Sequence, residues 1–260
     1  MFTERDLSEE LTAVRGAYAP DAVVLHCGTD FETLDPAAAE DLLLLTNSVD
    51  PLDTDPAWVP ERAPQQLHSY VGADFTVGLP GDGGVAWTTQ TDPACVLVKP
   101  RLETSPESFV DFLIAEALVQ TSLGEPESFL TFFGPRYPDV AAATADRLDP
   151  AGTYQLAVAL YDAYLGLQTR DAFETWADDY PGLYDAWADA GERLEPRLSD
   201  LPAEVARGQT NFPAAAELAC SAVKHGLDLP APFAALDTAV YLDHGADYAI
   251  KWAEKTFEQL

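Results

Sequence analysis

Positive charge is scarce in this sequence. Fourteen Lys and Arg stand against forty-four Asp and Glu, a formal net charge of −30 at neutral pH over 260 residues. The basic residues form no local cluster, so the electrostatic footprint of a nucleic-acid binder is missing. Cysteine is scarce as well. Cys27, Cys95 and Cys220 are odd in number, widely spaced and without a CxxC pair, so neither a disulfide framework nor a cysteine zinc site is expected. The four histidines, His26, His68, His225 and His244, form no HxxxH or HExxH pair, and no metal or other cofactor is expected. A Walker lysine and a GxSxG elbow are also missing. Long apolar runs are absent. Leu42–Leu45 is the longest near the start, far below the ~20 residues that span a bilayer. The acidic opening residues, Met1 to Asp6, lack the apolar heart of a signal peptide. The expectation is a soluble cytoplasmic chain with no membrane association.

The chain has the means to fold. Apolar and aromatic residues make up 47% of it, whereas disorder pairs high charge with low hydrophobicity. Charge of one sign destabilises a compact body by self-repulsion. In ~1 M salt the Debye length shrinks to ~3 Å, and neighbouring carboxylates hardly sense one another. Isoleucine (Ile114, Ile250), asparagine (Asn47, Asn211) and lysine (Lys99, Lys224, Lys251, Lys255) are all rare. This composition resembles that of cytoplasmic proteins of salt-accumulating haloarchaea. In such a solvent net charge says little about partners, and it is the lack of a basic cluster that argues against nucleic acid.

Pattern changes near residue 103. The first part mixes helices and strands with Pro- and Asp-rich loops. Thr3 and the spacing of Leu7, Leu11, Val14 and Tyr18 predict a helix over 3–18. The β-branched run from Ala22 to Cys27 reads as a buried strand, and Asp35-Pro36 opens a helix to about Thr46. Prolines at 51, 56, 60 and 64 make 47–66 an irregular loop. Alternation then predicts an antiparallel meander of 75–79, 85–89 and 95–98, with a turn at Pro80-Gly81-Asp82-Gly83-Gly84. The last of these strands is apolar throughout, as a strand covered on both faces would be. Ser105 and Pro106 start a helix over 106–123 that is apolar nearly all round, hence buried, and Gly124 ends it. Glu125-Pro126 starts a short helix. Further helices are expected at 139–147, 152–168, 170–179, 182–199, 213–225, 232–243 and 246–258. The fold class is therefore α+β: a small, mostly antiparallel sheet with two helices (1–103), then a larger all-helical part (104–260). The two are expected to form one cooperative unit through the buried helix. A weak echo links Tyr137-Pro138 and Tyr180-Pro181, each followed by an Arg-Leu-acid-Pro run. Two imperfect copies fall short of a solenoid.

Candidate chemistry is thin. His225 and His244 each precede a glycine at a helix end, where a cationic side chain complements the free carbonyls. Asp50, Asp53 and Asp55 lack the glycine and closing glutamate of a calcium loop, and prolines interrupt them. Gly81–Gly84 lies between two strands, whereas phosphate cradles lie between a strand and a helix. Asp243, His244 and Asp247 surround a glycine junction. Glu116 stands out because it sits midway along the most apolar helix, and a buried carboxylate must be paired, hydrogen-bonded or protonated. Lys99 and Arg101 at the preceding strand end, and Arg136, are its available partners. His26 ends a strand beside Cys27 and near Asp30. The aromatics between Tyr154 and Trp187 suit a helical core first and an interface second.

The segments Ala94-Cys95-Val96-Leu97-Val98-Lys99-Pro100-Arg101 and Ser105-Pro106-Glu107-Ser108-Phe109-Val110-Asp111-Phe112 resemble those of a haloarchaeal protein family of unknown function, of about this length. That resemblance implies a taxonomic range and no activity. Two readings follow from the residues. The first is a non-catalytic interaction or scaffold module, with a protein partner or a second copy bound through the helical half. The second is a hydrolase or small-molecule-binding protein with a site between sheet and helices, drawing on Glu116, Lys99, Arg101, Arg136, Tyr137 and His26.

Overall fold

Two apolar, valine-rich segments meet side by side at the centre of the only four-stranded sheet among the described residues. The computed structural model describes residues 2–34, 36–68, 70–79 and 83–260. It is α+β, and it divides into two units interleaved along the chain. The N-terminal unit is Met1–Thr54, Tyr70–Glu127 and Thr175–Trp187; the helical unit is Asp55–Ser69, Ser128–Glu174 and Ala188–Leu260.

In the N-terminal unit the strands are β1 (Phe2–Glu4), β2 (Val23–Cys27), β3 (Ser48–Val49), β4 (Val85–Thr88), β5 (Thr91–Asp92) and β6 (Cys95–Val98). The main sheet runs β1-β2-β6-β4, and β3 pairs with β5 in a separate ribbon. β2 and β6 are parallel, in a register from Val23↔Cys95 to His26↔Val98; the β1–β2 and β4–β6 pairs are antiparallel. All four residues of β6 are buried, as a strand with two neighbours and two covered faces requires. The three-strand meander does not form. Phe75, Val77 and Leu79 do point into the core, but the backbone there makes a single bridge, Leu34↔Val77. Gly78, at φ +77°, turns the chain out of the extended state. Alternation sets which side chains face inward, not which backbones pair. Pro80, Gly81 and Asp82 of the expected turn lie outside the described residues, as does Asp35.

Helix α1 (Glu9–Tyr18) starts later than expected. Ser8 caps it by accepting a hydrogen bond from the Leu11 N–H, while Thr3 belongs to β1 and pairs with His26. Helix α2 (Ala37–Leu42) buries Leu42 in the core of Leu25, Phe75, Ala86 and Leu97, and Ala39 packs half-buried against it. Thr46 then closes the chain back through N–H and hydroxyl bonds to the Leu42 carbonyl. Helix α3 (Glu107–Ser122) packs on α1 and on strands β4 and β6. Its N-cap is Pro106 rather than Ser105, with no side-chain cap; Gly124, at φ +70°, follows its end.

The helical unit includes α4 (Phe129–Phe133), α5 (Tyr137–Thr144), α6 (Pro150–Glu174), α7 (Phe212–Ser221) and α8 (Ala239–Gln259). A reciprocal Ser128–Thr131 capping box, not Glu125-Pro126, starts α4. The two helices expected at 152–168 and 170–179 are largely one. No Pro interrupts α6 near residue 169, Gly166 continues the helix, and the Thr169 hydroxyl turns back to the Leu165 carbonyl at 3.0 Å. Gly166 lets the Val223–His225 turn come close: an added Cβ would sit 2.9 Å from the Lys224 nitrogen. α8 bends at Gly245 (φ 47°, ψ −125°), where the sequence divides the two expected helices. The Tyr-Pro echo marks no repeat, since Tyr137 opens an eight-residue helix and Pro181 an eighteen-residue one.

Candidate functional site

Ligands of open α/β sheets gather at the carboxyl ends of parallel strands, and β2 and β6 provide such an end. It places His26 beside Val98, with Cys27 and Lys99 the next residues along the chain from each. His26 is exposed, and its Nε2 lies 3.2 Å from Arg5 Nη1, so the ring accepts there as neutral imidazole. Partial burial first, and then the Arg5 charge, lower its pKa against a smaller upward pull from Glu103. Cys27 is buried, and burial pushes its thiol up to about 12 although Lys99 acts in the opposite direction. A thiol so shifted is a poor nucleophile, because the thiolate is the reactive form. Lys99 is 1% exposed, and its ammonium lies 4.6 Å from the Phe31 ring centroid. Arg101 donates from Nε to Asp30 at 2.9 Å and from Nη2 to Glu32 at 2.7 Å and to the Phe31 carbonyl at 3.0 Å. The hydrogen bond from Arg101 is the main reason the Asp30 carboxyl is held below its ordinary range. Both strand-end cations thus engage the 30–32 loop.

The other sequence candidates lie elsewhere. Glu116 is buried within α3. Arg136 and Tyr137 belong to the helical unit. Arg136 forms ion pairs with Asp139 and, at 2.6 Å, with Asp247. Tyr137 is buried edge-on to Phe129, and burial raises its phenol pKa. His26, Lys99 and Arg101 therefore share one locus, and the six candidates do not share one unit.

Two polar clusters escaped sequence reasoning. Glu127 accepts from the Thr88 hydroxyl at 3.0 Å, from the Thr89 N–H at 2.8 Å and from the Gln90 amide. Burial raises its pKa; these hydrogen bonds pull it partly back. The signal available was the donor run Thr88-Thr89-Gln90 at a hairpin, with nothing to name its acceptor. The second cluster joins Asp111 to Arg5 at 3.4 Å. Burial raises this carboxyl, opposed by a hydrogen bond to Ser8 and by the Arg5 charge.

The helical unit holds a hollow of about 330 Å³ between the 60–63 segment and α5, continuing to Leu148, Pro150 and Thr153. Its walls are mostly carbon, with Tyr137, Glu61 and Arg62 among the lining residues. Among the described residues no group of His, Cys, Asp and Glu is arranged to hold a metal ion, and no helix is long and apolar enough to cross a membrane. The aromatics that suggested an interface are mainly core: Tyr161, Tyr164, Trp176 and Trp187 are buried.

A family model described as a family of unknown function (DUF7089) matches residues 1–260. No curated protein and no solved structure matches the chain.

Proposed function

The chain belongs over its whole length to this family of unknown function, DUF7089, and from that premise we propose that it is a non-catalytic interaction module of a salt-rich cytoplasm. The observation that carries this reading is a run of leucines left outside the core. Leu43, Leu44 and Leu45 are 48%, 82% and 38% exposed, and Leu52 is 37% exposed. Exposed apolar surface of this kind marks contact sites, and on so acidic a chain it is the surface best able to hold a partner. Concentrated salt favours its use, since the charges that keep two acidic bodies apart are screened within ~3 Å above ~1 M. The contact surface thus belongs to the N-terminal unit instead of the aromatic stretch that first suggested one. The hydrolase alternative has less support. The strand-end arginine is engaged by carboxylates, and burial keeps the neighbouring thiol protonated.

The test is size-exclusion chromatography with light scattering, together with affinity capture, in KCl above ~1 M. The wild type is expected to associate with itself or with a defined partner. Leu44→Asp is expected to abolish that association while changing stability by no more than about 0.5 kcal/mol, as surface substitutions do. A wild type that stays monomeric and retains no specific partner overturns the reading.

A further inference from the structure

The hollow of the helical unit has the build of a ligand site. Its floor and one wall come from α5 and the turn after it, where Ala141, Ala142 and Ala145 stand facing the 60–63 segment. Larger side chains at those alanines would fill the space. At about 330 Å³ it falls at the small end of small-molecule pockets, which run from ~300 to ~1,000 Å³ and join apolar walls to a few polar groups.

Two polar groups among its lining residues have no protein partner among the described residues. Tyr137 is 1% exposed, yet its hydroxyl makes no hydrogen bond with any described residue. The oxygen is not among the fully buried orphaned atoms, so the little surface that Tyr137 keeps leaves it open to whatever fills the hollow. Arg62 is exposed at the rim and forms no ion pair among the described residues, although Arg5, Arg101, Arg136, Arg170 and Arg193 all do. Arg15, Arg147, Arg197 and Arg207 likewise form no ion pair among the described residues; what sets Arg62 apart is its place beside an apolar hollow. Glu61, also in the lining, adds a negative charge that disfavours multiply charged anions.

We propose that this hollow binds a small apolar monocarboxylic acid. The hydrocarbon part lies against the α5 alanines, and the carboxylate is met by Arg62 and the Tyr137 hydroxyl. The site belongs to the helical unit and is separate from the leucine surface, so Leu44→Asp leaves it intact.

Calorimetric titration of the full chain in KCl above ~1 M tests the proposal, with octanoate, phenylacetate and octanamide as probes. At least one of the two acids is expected to bind, more tightly than the amide. Ala142→Leu, at an exposed position, should weaken binding at least ~10-fold, which is ~1.4 kcal/mol. Arg62→Gln should weaken the acid but not the amide. Tyr137→Phe removes a hydroxyl with no partner among the described residues and should weaken the acid without lowering Tm. Absence of binding by either acid to the wild type up to ~5 mM, or equal binding by wild type and a folded Ala142→Leu, overturns the proposal. If Ala142→Leu misfolds, an unchanged affinity in Arg62→Gln overturns it instead.

Discussion

The two units bury different kinds of polar group. Gln90, Lys99 and Glu116, the buried amide and charged side chains among the described residues, all lie in the N-terminal unit. The buried polar side chains of the helical unit are threonines: Thr144, Thr153, Thr169 and Thr256. Threonine hydroxyls can satisfy themselves locally. Thr144 donates to the Val140 carbonyl at 3.0 Å and meets Thr153 at 2.8 Å. Around them the unit packs rings, as in Phe132 against Tyr161 and Tyr164, and Tyr241 donates to the Leu160 carbonyl at 2.6 Å. Its ionisable groups lie nearer the surface, as in the Arg170–Asp237 pair at 2.8 Å. The N-terminal unit instead ties strand ends and loops together with ions, and its core is tuned by charge. Polar networks that are fully satisfied specify one arrangement, but partly satisfied ones cost stability.

Removal of salt is expected to have the largest effect, because it acts on the surface charge that the units share. At ~0.01 M the Debye length is ~30 Å, and like charges across a whole domain repel. We expect loss of near-ultraviolet circular dichroism and lower thermal stability on transfer from KCl above ~1 M to dilute buffer. If the units fold as one cooperative body, their signals fall together. Two separate transitions would overturn the expectation of one cooperative unit, and an unaltered Tm in dilute buffer would detach the acidic surface from salt adaptation.

A matched pair of core substitutions sharpens the contrast. Glu127→Gln replaces one of the two accepting oxygens by an NH2 donor, which then faces either the Thr89 N–H or the Gln90 amide, at a cost of about 2 kcal/mol at neutral pH. The wild-type carboxyl has a raised folded pKa, so the folded state holds its proton more firmly than the unfolded chain. Its contribution is complete below the ordinary carboxylate range and is lost as pH rises through the folded value. The deficit of Glu127→Gln should therefore widen on acidification from pH 7. Thr169→Val in the helical unit should cost about 1 kcal/mol with no such pH dependence. Thermal midpoints measured against pH decide. Parallel profiles for the two variants would erase the distinction between the units.

Much of this architecture was legible in the sequence, for reasons that particular residues make plain. The Val23–Cys27 and Cys95–Val98 strands, the apolar α3 helix and its glycine stop, and the break at Gly245 all follow from local chemistry. β1 was not legible, because Phe2–Glu4 is too short to show a period, and the earlier start of the helical pattern rested on Leu7. Nor was the parallel register of β2 and β6, since pairing across some seventy residues leaves no local trace. The strand-end group of His26, Lys99 and Arg101 was visible as separate candidates, and the sheet brought them together. Glu127 was hidden because its meaning comes wholly from donors 37 to 39 residues away. The hollow was hidden for the opposite reason. Alanines and prolines carry no chemistry until a fold leaves space beside them.

The smallest expected effect isolates the sign of charge tuning within the N-terminal unit. His26 has a folded pKa lowered by partial burial and by the adjoining Arg5 guanidinium. In the window just below its ordinary value of about 6.5, the unfolded chain binds the proton more readily than the folded one. Its contribution is present above that window and is lost as pH falls toward the folded pKa. Glu127 and Asp111, both raised, act with the opposite sign and favour the folded state on acidification. The wild-type stability profile should therefore carry a dip from His26 superimposed on a gain from the two carboxyls. His26→Gln keeps a side-chain acceptor for Arg5 and removes the titration, so its profile should show the gain alone. Because the ring is exposed, the change should appear as a difference in slope below pH 6.5 and not as a shift in stability at pH 8. If His26→Gln and wild type trace the same curve through that window, the Arg5–His26 contact has no influence on folding, and the strand end is held by Lys99 and Arg101 with their loop.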